Sequence, residues 1–261
     1  MLWKTETMKG LQVLPTVNSG SVTIEQFLFE DQSWIIRYLV IQIRSHQSYM
    51  RKLVSPLSIQ KISRHTLYLN MTFDLLENSP EFDNELPVSR QMEEALLKYY
   101  SWPCYWLYPE GYNLLGGALY PGLSVPFAYP AANGEDQQTD ILSKESHLEN
   151  TSDSSHLRLT NDVKGYRIIA PDGEVGQVVE FLIDDKNWVL KYLVVDTGHA
   201  LPGRKVVLPS QLVKKVEWAS TAIYLSCLRK VVIDSPLFDM EYPFASEYES
   251  RVMAYYYPEN K

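Results

Sequence analysis

VKGYRIIAPDGEVGQVVEFLIDDKNWVLKYLVVDTG, residues Val163 to Gly198, is the stretch from which the fold is read. Tyr166 to Ala170 is a β-branched run, Pro171-Asp172-Gly173 is a turn whose glycine can take positive φ, and Val175 to Ile183 resumes an apolar run. A second turn, Asp184 to Asn187, leads into Trp188 to Asp196. Downstream, Arg204 to Leu208 feeds a Pro209-Ser210-Gln211-Leu212 corner, and Val213 to Trp218 and Ala222 to Leu228 have the length and composition of two further strands. Short strands joined by tight turns predict a small antiparallel barrel or sandwich between Val163 and Asp239.

The N-terminal part of the chain repeats this pattern. Trp34, Tyr38, Leu39 and Val40 precede Trp188, Tyr192, Leu193 and Val194 by a constant 154 residues. Lys9-Gly10 answers Lys164-Gly165, Asn18-Ser19-Gly20 occupies the place of Pro171-Asp172-Gly173, and Ser79 to Asp83 answers Ser235 to Asp239. The match extends beyond the β region, because SRQMEEALLKYY from Ser89 parallels ASEYESRVMAYY from Ala245. Met92, Ala95, Leu96 and Tyr99 fall on one face of a helix, with Ser89 placed to cap it. Tyr248, Val252 and Tyr255 or Tyr256 trace a similar stripe. Each helix is expected to cover an open edge or end of its own β unit.

Lys164-Gly165, Asp172-Gly173-Glu174, Gly176, Ile183-Asp184, Tyr192 to Val195 and the Leu208-Pro209 to Leu212 corner together resemble the PRC-barrel family. The resemblance covers Val163 to Asp239 directly and Met8 to Asp83 through the repeat. It implies a mainly β chain of two small PRC-type β-barrels related by internal duplication, each followed by a C-terminal α-helix. In that family, which includes the cytoplasmic part of the photosynthetic reaction-centre H subunit, a domain of a ribosome maturation factor and free-standing bacterial proteins, the barrel serves docking and assembly. No shared catalytic residue defines it. The expected division is a first module over residues 1–100, an aromatic Pro/Gly-rich connecting segment over 101–132, a polar linker over 133–161 and a second module over 162–261. The linker carries six acidic residues against two basic ones and no aromatics.

A formal net charge of −8 and a pI near 5.2 disfavour nucleic acid as a partner, because that affinity comes from neutralising phosphates. Cys104 and Cys227 form no CxxC or disulfide framework, and MLWKTETMKG has charges where a signal peptide needs an apolar core. A cytoplasmic location is expected, with the membrane surface as a second setting. Tyr112 to Asn133 is uncharged and long enough to span a membrane, but its glycines and prolines argue against a spanning helix.

No nucleophile motif or phosphate loop is present in the sequence, so no catalytic residue, cofactor or metal is assigned. Asp172, Glu174, Asp184 and Asp185 sit at turns, where solvated carboxylates are expected. His46 and His199 occupy matching loops and are the candidate loop sites, whereas His147 and His156 fall in the linker and are expected to be solvated. The candidate partner-binding residues are Trp102, Tyr105, Trp106, Tyr108 and Tyr112, whose ring area needs a cover. That cover is either the chain's own first module or a protein partner, with peripheral membrane contact as a further setting. The reading is a noncatalytic docking or assembly module. An enzyme binding a small molecule or metal through the His46 and His199 loops is the alternative, and a ribosome or RNA assembly adaptor the weaker one.

Overall fold

The computed structural model describes residues 1–16, 21–44, 49–83, 88–107, 112–113, 117–118, 156–198, 204–241 and 244–258. The chain is mainly β. Its first half runs β1 (Leu2–Lys4), α1 (Thr5–Lys9), β2 (Gln12–Leu14), β3 (Ser21–Glu30), β4 (Ile36–Arg44), β5 (Tyr49–Val54), β6 (Ile59–Ile62), β7 (Thr66–Leu69), α2 (Phe73–Glu77) and α3 (Arg90–Tyr100). Two short strands, β8 (Tyr112–Asn113) and β9 (Gly117–Ala118), pair with each other. The second half gives the same succession: β10 (Leu157–Leu159), α4 (Thr160–Val163), β11 (Arg167–Ala170), β12 (Gly173–Asp184), β13 (Val189–Asp196), β14 (Lys205–Pro209), β15 (Val213–Glu217), β16 (Ala222–Leu225), α5 (Arg229–Ile233) and α6 (Ser246–Tyr256). β10 lies inside the stretch that composition marks as linker.

Each half builds one mixed sheet, in the order β5-β4-β3-β2-β7-β6 and β14-β13-β12-β11-β16-β15. The pairs β2–β7 and β11–β16 are parallel and the others antiparallel. The expectation of closed antiparallel barrels is therefore corrected to open mixed sheets. Closure would require β5 to reach β6, but the outer edge of β5 is already occupied. Phe82 donates its N–H to the Arg51 carbonyl, and Lys52 bridges to Glu81. On the other sheet Phe238 donates to the Lys205 carbonyl and Val206 bridges to Leu237. The chain leaving α2 or α5 thus satisfies backbone groups that barrel closure would have used. At Gly176 the backbone of β12 crosses so close to β13 that a Cβ would lie 1.9 Å from the Asp196 carbonyl oxygen.

The halves are joined by exchange. β1 adds to the end of β12, pairing Leu2 with Asp184, and β10 adds to the end of β3, pairing Leu157 with Glu30. Between these junctions the two hairpin tips meet. Trp34 and Trp188 both hold left-handed φ, at 60° and 55°, and their carbonyls accept from Leu190 and Ile36 across the junction. Thr5 of the first half donates to buried Glu180 of the second, whose carboxylate also meets Lys164 at 3.1 Å. One apolar core contains residues of both halves. At its centre Phe29 stacks on Trp34 at 5.3 Å, and Phe181 lies 6.3 Å from each.

The opposite faces of the sheets are covered by α3 and α6. Tyr38, Val40 and Leu53 pack with Phe82, Val88 and Leu96, and Tyr192, Val194 and Val207 with Phe238, Phe244 and Val252. The helices therefore lie on faces and not on edges or ends. Ser89 caps α3, its Oγ accepting from the Met92 N–H at 3.2 Å. Ser89→Ala is expected to lower stability by about 1 kcal/mol, and Ser89→Thr much less, by urea denaturation. The buried stripe of α3 is rotated from the expected one: Glu93, Leu96 and Leu97 are buried while Ala95 is exposed. Among the described residues no helix is long and apolar enough to cross a membrane.

Candidate functional site

The rotation of α3 puts a carboxylate where an apolar side chain is expected. Glu93 is fully buried against the outer face of the first sheet. The cost of burying an ionised carboxylate is relieved only by donors, and several converge here. The Tyr105 hydroxyl donates to Oε1 at 2.7 Å and the Tyr38 hydroxyl at 3.2 Å. Arg90, one turn earlier, donates from Nη1 to Oε2 at 3.2 Å, and His156 Nε2 lies 3.3 Å from the same oxygen. The Tyr105 hydroxyl also meets His156 Nε2 at 2.8 Å. Residues 51 positions apart in sequence, from either side of 108–155, are thereby brought to one point.

The charges around this point are interleaved with rings. Arg37 pairs with Glu30 at 2.6 Å and lies 3.9 Å over the Tyr105 ring, and Arg90 lies 4.0 Å over Trp106. Burial pushes the Glu93 carboxyl up to about 7, against the pull of the Tyr105 bond and of Arg90. Burial, reinforced by Arg90, holds the His156 imidazole down to about 4. Burial and the nearby Glu93 charge raise the Tyr38 and Tyr105 phenols, which stay protonated. Beside the cluster is a cleft lined by Arg37, Tyr38, Pro56, Leu97, Trp102 and Tyr105. Its room of about 30 Å³ is on the scale of a water molecule, well below the roughly 300 Å³ at which small-molecule sites begin.

Of the aromatic candidates, Trp102 and Tyr105 turn toward the chain's own first half, and Trp106 packs beside them. Trp102 stacks on Tyr100 at 4.1 Å and donates from Nε1 to Ser58 Oγ at 3.0 Å. Tyr105 is 8% exposed, too little for a docking surface, and Trp106 meets its ring edge-on at 4.9 Å. Tyr108, His46 and His199 lie outside the described residues, as does the side chain of Tyr112, whose backbone is in β8. His156, expected to be solvated, is instead part of the cluster, with its side chain 22% exposed. Two of the turn carboxylates are tied to distant parts of the chain: Asp172 accepts from the Arg229 N–H at 2.6 Å and Asp185 from Trp3 Nε1 at 2.9 Å.

Glu93, Arg37, Arg90 and His156 are the residues that sequence reading missed. A signal existed in the repeat, because Glu93 and Glu249 occupy matching places on the two helices. In the second half Tyr192 donates to Glu249 Oε1 at 3.2 Å and Lys191 pairs with it at 2.7 Å. Glu249 is 27% exposed where Glu93 is 0%, so the tyrosine–glutamate contact recurs while the enclosure does not. Compared with known proteins, the chain matches no family model and no curated protein.

Proposed function

We propose that this chain is a noncatalytic docking or assembly component built from two PRC-barrel-like modules that arose by internal duplication. The observation that carries the reading is the reciprocal strand exchange between two sheets of identical strand order. Such an arrangement makes one body from two repeats and directs their apolar faces inward, which suits a scaffold. The Glu93 cluster agrees with that role, since its groups are engaged with each other around a water-sized cleft. With Trp102 and Tyr105 packed against the first sheet, the partner surface is proposed to lie on the outer loops and helices of the two modules and not on those two rings. A protein partner is the favoured occupant.

The test is purification of the tagged full chain at native expression, with native mass spectrometry of the eluate. A partner at fixed stoichiometry, retained through dilution and moderate salt, is the expected result. Recovery of the chain alone under gentle conditions, or turnover of a small molecule by the purified chain, would count against the proposal.

A further inference from the structure

Glu93, Tyr105 and His156 are joined by two hydrogen bonds through Tyr105, from a fully buried carboxylate to a side chain that reaches the surface, and His156 Nε2 also lies 3.3 Å from Glu93 Oε2. The Tyr105 hydroxyl has one proton and two neighbours, Glu93 Oε1 at 2.7 Å and His156 Nε2 at 2.8 Å. It must therefore donate to one and accept from the other. When Glu93 is ionised its oxygens only accept, so Tyr105 donates to Oε1 and His156 presents Nε2–H. When Glu93 is neutral its proton belongs on Oε1, because Arg90 Nη1 donates to Oε2 at 3.2 Å. Oε1–H then donates to the Tyr105 oxygen, the Tyr105 proton turns to Nε2, and the imidazole carries its proton on Nδ1.

We propose that Tyr105 is a reversing proton relay that ties the protonation of Glu93 to the tautomer of His156. The step balances with one proton. It bonds to Nδ1; the Nε2–H bond breaks as a new O–H bond forms on Tyr105; the old Tyr105 O–H bond breaks as Oε1–H forms on Glu93. The carboxylate ends neutral, and the phenol and imidazole keep their charge. A carboxylate closed to solvent thereby takes up protons from solution, and the second ring nitrogen of His156 changes from acceptor to donor.

The surroundings keep the imidazole neutral in both states. Arg37 of β4, Arg90 of α3 and Arg158 of β10 oppose a cation at His156, whereas Glu30 of β3 favours one. Burial adds to the opposition, and the imidazole is held down to about 4. Tyr38 of β4 faces Glu93 as a donor at 3.2 Å, and Asp31, engaged by Arg158 at 3.5 Å, carries the remaining nearby charge. Glu93, raised to about 7, is then the group of the three that exchanges its proton near neutrality.

The experiment is nitrogen NMR of the His156 ring in the full chain, followed from about pH 5.5 to about pH 8.5, a range chosen to span the transition of a carboxyl held near neutrality. The expected result is an exchange of pyrrole-type and pyridine-type shifts between Nε2 and Nδ1, without formation of the imidazolium. In Glu93→Gln the Arg90 guanidinium orients the amide oxygen to itself and the amide nitrogen to Tyr105, so His156 is expected to hold the Nδ1–H form throughout. Tyr105→Phe leaves the 3.3 Å approach of Nε2 to Glu93 Oε2 as the remaining contact, and is expected to weaken the dependence of the tautomer on pH. A wild-type ring that keeps one tautomer across the range, or that becomes doubly protonated, overturns the relay whether or not either variant folds.

Discussion

Phe181→Ala is expected to lower the stability of the whole chain by about 4 kcal/mol, near the upper range for a large-to-small core change. The ring is fully buried and lies 6.3 Å from both Phe29 and Trp34, so the cavity would open where the two halves meet. Neighbouring strands cannot collapse into it, because β1 and β10 pin the sheet ends on either side. The loss is expected in both halves together. Urea unfolding followed by tryptophan fluorescence and by far-ultraviolet circular dichroism should give one coincident transition, shifted by the substitution. Two separate transitions, with only one of them moved, would show that the halves are stable independently and that the exchange is decorative.

The second large effect concerns pH. Folded Glu93 keeps its proton up to about pH 7, whereas the unfolded chain releases it near 4.5, so the folded state holds the extra proton in between. Stability from this group is complete below pH 4.5 and is lost as pH rises through 7. His156 works in the opposite sense. Its folded value of about 4 lies below the ordinary 6.5, so its contribution is present above pH 6.5 and is lost as pH falls through 4. Each shift corresponds to about 3 kcal/mol across its window. Between pH 4.5 and 6.5 the two slopes oppose each other, and the wild-type profile is expected to be nearly flat there. Glu93→Gln should expose the His156 slope, with stability falling as the solution is acidified. His156→Gln should expose the Glu93 slope, with stability falling as the solution is made alkaline. Parallel profiles for the wild type and both variants would mean that neither group is perturbed by the fold.

The strands, the turns and the helical tails were legible because each is written in neighbouring residues. The apolar run of Val175 to Ile183, the turn at Asp172-Gly173 and the Ser89 cap all act within a few positions along the chain. The repeat also made the Trp34 and Trp188 correspondence visible, and both residues do occupy the same left-handed turn position. The site was less legible. Hydrophobic periodicity excludes Glu93 from a buried stripe by its charge and so rotates the predicted face of α3 onto Ala95. Polar composition likewise marks His156 as linker, although the following three residues form a strand.

By itself, then, the sequence determined the local elements and their recurrence, since backbone preference and apolar spacing operate over a few residues. Tertiary structure alone decided which edges they join. Gln12–Leu14 meets Thr66–Leu69 in parallel, and Leu2–Lys4 meets Leu182–Asp184, through hydrogen bonds that carry no side-chain signature. It also decided the fate of Glu93, because a carboxylate becomes a tolerable core residue only when Tyr38, Tyr105 and His156 arrive from other parts of the chain to join Arg90 of its own helix.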